Sequence, residues 1–101
     1  MKRTLKKAEK INEMLEAWKL YDDKKNELVF LRLQPNEEIP AHPNPYPVLF
    51  FLIRGKVRIQ TAKESYILEE NDLLPLSPEV ERSLINISAD KAELLVIKQI
   101  N

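Results

Sequence analysis

From Leu28 to Ile100 the chain never sustains an apolar run of more than six residues before a turn signal cuts it. Segments that short are strand-sized and do not reach the ten or more residues that a buried helix needs. Leu28–Leu33 reads as a first strand, closed by the turn Gln34–Glu38. Val48–Ile53 and Lys56–Thr61 flank Arg54-Gly55, the pattern of a hairpin with a glycine in its turn. Tyr66–Leu68 is a further short strand, and in the turn Glu69–Asp72 Asn71 can adopt the left-handed conformation. Leu73–Leu76 is interrupted by Pro75 and belongs at a sheet edge. Arg82–Ile87 and Glu93–Ile100 complete the set, separated by the turn Ser88–Lys91. Many short strands with turns between them predict an all-β barrel or sandwich.

Two segments break this rhythm. Ile39–Pro47 carries prolines at 40, 43, 45 and 47. Proline has no N–H and a fixed φ, so this stretch cannot be a central strand and is expected as a stiff, partly polyproline-like loop. At the other end, Leu5, Ala8, Ile11, Met14, Leu15 and Trp18 recur at spacings of three and four. That stripe predicts a helix over Lys6–Leu20, in an N-terminal helical extension (1–22) ahead of the barrel (23–101). Trp18 and Tyr21 would pack it on the barrel or on a partner chain.

The 101 residues fit a single domain. Lys+Arg and Asp+Glu both number 16, and a net charge of zero argues against a broad nucleic-acid footprint. The basic cluster Lys2, Arg3, Lys6, Lys7 and Lys10 has no interleaved aromatics and reads as a solvated face, so no nucleic-acid partner is expected. Without cysteine, disulfides, cysteine zinc sites and thiol nucleophiles are excluded. No apolar signal core follows the basic start, and no run approaches membrane-spanning length. The expectation is a cytoplasmic protein with no membrane partner. Because a chain this short buries a modest core, a homodimer is also expected.

Val48-Leu49-Phe50-Phe51-Leu52-Ile53-Arg54-Gly55 resembles the end of the first motif of the cupin family, a strand of the form Glu-Val-Phe-Tyr-Val-Leu-x-Gly. Upstream, Pro35-Asn36 through His42-Pro43-Asn44 stands where the family has a Pro-Gly turn and a His-x-His pair. Asn71-Asp72 through Arg82-Ser83-Leu84-Ile85-Asn86 is similar to the second motif, with its Gly-Asp, its strand and its His before an Asn. The resemblance covers more than half the chain. It implies a mainly β, cupin-like double-stranded β-helix (jelly-roll) barrel with a pocket in its mouth. Gly55 is the single glycine, so Asn36, Asn71 and Glu79 take turn positions where the family uses glycine.

The resemblance also implies a metal held by two His and one Glu of the first motif and one His of the second. Carried over residue by residue, those places hold His42, Asn44, Val48 and Arg82. One ligand of four remains, and a guanidinium repels cations, so neither a metal nor another cofactor is expected. The expected ligand-binding residues are His42, Asn44, Tyr46, Phe50 and Arg82. Arg82 can grip a carboxylate or phosphate bidentately, His42 is a titratable pocket group, Asn44 and Tyr46 offer hydrogen bonds, and Phe50 supplies an apolar floor. Three functions stay open. The chain can bind a small molecule without metal. It can be an enzyme, either a sugar isomerase or epimerase with His42 as base and Tyr46 as acid, or a metalloenzyme using His42 with Glu79 or Glu81. It can be a dimeric interaction protein with a filled barrel.

Overall fold

A computed structural model describes residues 1–101. It contains ten strands: β1 (Glu9–Lys10), β2 (Glu16–Asp22), β3 (Asn26–Leu33), β4 (Glu38–His42), β5 (Val48–Arg54), β6 (Val57–Gln60), β7 (Ser65–Leu68), β8 (Leu73–Leu76), β9 (Arg82–Asn86) and β10 (Ala92–Gln99). They form a six-stranded sheet in the order β1-β2-β3-β10-β5-β8 and a four-stranded sheet in the order β4-β9-β6-β7. All pairings are antiparallel.

Period-two alternation builds the core. Val29, Leu31 and Leu33 on β3, Val48, Phe50 and Leu52 on β5, and Ala92, Leu94 and Val96 on β10 are buried on one face of the large sheet. Val57, Ile59, Leu68 and Leu84 meet them from the small sheet in a single cluster. Fully burying side chains of this size contributes about 1.5–3 kcal/mol each, which is what fixes the register.

The N-terminal helix expected over Lys6–Leu20 does not form. Helical geometry is confined to a 3-10 turn at Leu5–Lys7. Asn12 Oδ1 accepts hydrogen bonds from the Met14 and Leu15 N–H groups (2.7 and 3.0 Å), a local turn that competes with a helix. The chain then pairs along β3, with Trp18 opposite Phe30. Pairing satisfies the backbone edge that β3 would otherwise expose, and Trp18 packs against Phe30 with ring centroids 6.2 Å apart. The three-and-four spacing placed no common face in the core: Met14 is exposed, Ile11 nearly half so, and Ala17, outside the stripe, is buried.

The proline segment also differs from expectation at its start. Glu38–His42 is a strand, at the outer edge of the small sheet. Its ladder with β9 runs Glu38↔Ile85 and Ile39↔Leu84, then slips before resuming at His42↔Arg82. The bulge absorbs Pro40, whose missing N–H an edge strand tolerates. Leu73–Leu76 lies at the edge of the large sheet. Asn36, Asn71 and Glu79 adopt φ of 65°, 74° and 70°, doing the turn work of glycine, and Gly55 itself is at 94°.

Candidate functional site

The inward faces of β3, β5, β9 and β10 do not meet at one end of the barrel, and a cavity of about 120 Å³ remains there. Its walls are mostly hydrocarbon, from Val29, Leu31, Phe50, Leu84 and Val96. Its polar lining consists of Arg82, Lys98, His42 and Asn44, with no carboxylate.

Arg82 dominates the electrostatics. It opens β9, where Arg82, Leu84 and Asn86 share the buried face, and it is 1% exposed. Its Nε and Nη2 are buried without a hydrogen-bond partner, and no carboxylate lies within ion-pair distance. Burial holds the guanidinium below its ordinary pKa, yet an arginine remains a cation. Its one compensating neighbour is the Phe50 ring, whose centroid lies 6.0 Å from Cζ, at the outer limit of a cation–π contact. Each buried unsatisfied donor costs about 1–3 kcal/mol.

His42 is brought to the cavity by the β4 bulge. Simple alternation from Ile39, which packs on the core, would turn Ala41 inward and His42 out. The slipped register sets His42 opposite Arg82 and into the lining. His42 Nδ1–H donates to the Pro40 carbonyl (3.0 Å), which leaves Nε2 free. Asn44 Oδ1 accepts the Tyr46 N–H (3.1 Å), and the Asn44 carbonyl accepts the Glu79 N–H (2.8 Å), tying the proline loop to the β8–β9 loop across the rim.

Of the five residues expected to form the site, His42, Asn44, Phe50 and Arg82 line the cavity together; Tyr46 does not, and is 38% exposed. Glu79 and Glu81 line a separate surface groove with Thr61 and Tyr66 and take no part in the cavity lining. Sequence reasoning missed Lys98. Its signal was present: Ala92, Leu94 and Val96 alternate inward along β10, and Lys98 continues that parity.

Comparison with known proteins agrees with this architecture. A family model described as a cupin domain matches residues 29–98. The chain belongs to the cupin family. Among solved structures, an RmlC-like cupin from Shewanella frigidimarina superposes with a TM-score of 0.83 at 13% identity, covering 97% of this chain and 88% of that one. An RmlC-like cupin family protein with a double-stranded β-helix fold from Methanocaldococcus jannaschii gives 0.77 at 20% identity, covering 90% and 84%. A cupin superfamily protein from Desulfitobacterium hafniense gives 0.79 at 13% identity, covering 92% and 84%. At these identities the likeness carries the fold alone. No curated protein matches the sequence.

The metal associated with cupins does not suit this cupin's residues. The ligand places carry one imidazole, one amide, a valine and a buried guanidinium, and nowhere does the chain gather three His, Cys, Asp or Glu side chains that could hold an ion. A divalent cation needs several converging donors, and here it would meet a cation in their place. No helix is long and apolar enough to cross a membrane.

Proposed function

We propose that this cupin binds a small organic anion in its barrel mouth, without a metal ion, as a cytoplasmic homodimer. One observation carries the binding reading: a fully buried, unpaired guanidinium lines a cavity that contains no acidic side chain. Folding buries a charge only where a partner repays the desolvation, and an anionic ligand supplies that partner. The absence of cysteine accords with a reducing compartment. A thermal-shift screen of organic anions tests the proposal, since a ligand bound to the native state stabilises it by RT ln(1 + [L]/Kd). Anions are expected to raise Tm in the unaltered protein and not in Arg82→Met; a screen in which no anion depends on Arg82 rejects the reading.

Homodimerisation draws on a different surface. The register aligns Trp18, Phe30, Leu95, Phe51 and Leu73 in one row across five strands on the outer face of the large sheet. Leu28, Ile97, Leu49 and Pro75 form the next row. A contiguous apolar face of this kind marks an interface. The accessible surface is 6596 Å², whereas a monomeric protein of this mass exposes about 5900 Å². An excess of this sign accords with apolar surface left for a second copy of the chain to cover. Sedimentation should give twice the chain mass, and Phe51→Asp should halve it; a monomer at tens of micromolar would reject the dimer.

A further inference from the structure

We infer that the N-terminal edge of the large sheet docks on a membrane surface that carries anionic lipid. The barrel mouth takes no part in this contact.

The charge of the chain is unevenly placed. Residues 1–10 hold five cations, Lys2, Arg3, Lys6, Lys7 and Lys10, and one carboxylate, Glu9, while the whole chain is neutral. All five cations are exposed. Folding does not neutralise them. Glu9 is engaged by Lys19 at 3.6 Å, and the other ion pairs join Lys19 to Asp22, Arg32 to Glu93 and Arg54 to Asp90. The rest of the molecule carries the balancing acidic excess. A field of this shape turns the basic edge toward an anionic surface and the acidic remainder away from it.

Hydrocarbon is exposed at the same edge. Lys2, Arg3 and Lys7 line one surface groove with Met1 and Tyr21, and Arg3 Cζ lies 5.5 Å from the Tyr21 ring centroid. Met1, Ile11, Met14 and Tyr21 are all among the exposed large hydrophobic residues, and Met14 is 89% exposed. Ile11 and Met14 belong to the turn that joins β1 to β2, and β1 is the outermost strand of its sheet. Cations alone would suit a nucleic acid equally well. The aliphatic neighbours favour lipid, because a bilayer interface takes up apolar side chains while its headgroups meet Lys and Arg. Phosphates of a duplex offer no such apolar phase. Resting on a bilayer in this way needs no membrane-spanning run.

Cosedimentation of the intact protein with vesicles tests the contact. Vesicles of phosphatidylcholine with about 30% phosphatidylserine should carry the protein down at about 0.1 M salt, pure phosphatidylcholine should not, and about 0.5 M salt should release it. Each Lys or Arg at such a surface is worth about fivefold in affinity, so Lys6→Gln with Lys7→Gln should weaken binding by about 25-fold. Lys56→Gln with Lys63→Gln, exposed cations flanking β6 of the small sheet, should leave it unchanged. Met14→Ser keeps every charge and should weaken binding by about fivefold. Melting curves check that each variant is folded. The inference is overturned if the phosphatidylserine vesicles bring down no protein, or if both lysine pairs matter equally. It is also overturned if Met14→Ser binds like the unaltered protein, or if duplex DNA binds through Lys6 and Lys7 as tightly as the vesicles do; the edge is then a general polyanion surface.

Discussion

Arg82 and Asn86 begin and end the same strand, face the same side of it, and are the two buried polar residues of the molecule. Their surroundings are opposites. Asn86 Nδ2 donates to the carbonyls of Leu33 (3.0 Å) and Asp90 (2.8 Å), and its Oδ1 accepts the N–H and the hydroxyl of Ser88. Its backbone is bound on both sides to the β3–β4 turn, through Asn36 N–H and the Glu37 carbonyl. Arg82, at the other end of the strand, has no hydrogen-bond partner for Nε or Nη2. One strand therefore spans a saturated end and an unsaturated end. The saturated end holds the turns together, and the unsaturated end leaves a buried cation without a protein partner.

The largest expected effect comes from breaking the saturated end. Asn86→Ala strips the side-chain hydrogen bond from the buried Leu33 carbonyl, removes one of the two donors to the Asp90 carbonyl and leaves Ser88 without its acceptor, and should destabilise the fold by about 3 kcal/mol, a fall in Tm of roughly 15 °C. The same class of change at the open end should act in the other direction. Arg82→Met replaces an unpaired buried cation with a flexible apolar chain and should stabilise the ligand-free protein by about 1–3 kcal/mol in urea denaturation, while removing ligand-induced stabilisation. A loss of stability in Arg82→Met would erase the contrast. Gly55→Ala should cost about 1–2 kcal/mol, because φ is +94° and a Cβ would lie 3.0 Å from Ala92 Cα, Ala92 Cβ and Ser88 Oγ. Glu79→Gly, at the open end, relieves a left-handed side chain and should gain about 0.5 kcal/mol, the backbone entropy of glycine offsetting part of the relief.

The smallest effect is on acid sensitivity. The Lys91 N–H and the Arg54 guanidinium hold the Asp90 carboxyl below its usual 3.8. A depressed native pKa stabilises above the unfolded value, and that contribution is lost as pH falls through the native one. Asp90→Asn should remove that contribution at neutral pH, a small loss for so exposed a group, and leave the strongly acid end unchanged, so that the acid limb of the stability–pH curve flattens.

Most of the barrel could be read from the sequence because alternation and turn residues are local signals. The β8 edge and the left-handed turn at Asn71 follow from residues within a few positions of one another, and the turns at Asn36 and Glu79 from the family motifs; the hairpin expected across Arg54-Gly55 does not form, because β5 pairs with β10 and β8 in the large sheet and β6 with β7 and β9 in the small one. The N-terminal strand is not legible in this way, because what recruits it is the open edge of β3, a distant partner that a helical stripe cannot reveal. At the site, Arg82, Phe50, Asn44 and His42 came from the family motifs, but their convergence depends on features no motif states. His42 faces the cavity through a bulge at Pro40 and Ala41. Tyr46 stays outside the cavity lining, its N–H bound to Asn44 Oδ1. Lys98 is legible by parity alone, since it continues the inward alternation of Ala92, Leu94 and Val96 past the end of the apolar run of β10.

The loop that carries His42 and Asn44 contains Pro40, Pro43, Pro45 and Pro47, and backbone hydrogen bonds from the Glu79 N–H to Asn44 and from the Gln99 N–H to Pro47 tie it to the β8–β9 loop and to β10. A loop so stiffened has little freedom to close, so association of the proposed anion should follow a single fast phase with no slower adjustment behind it.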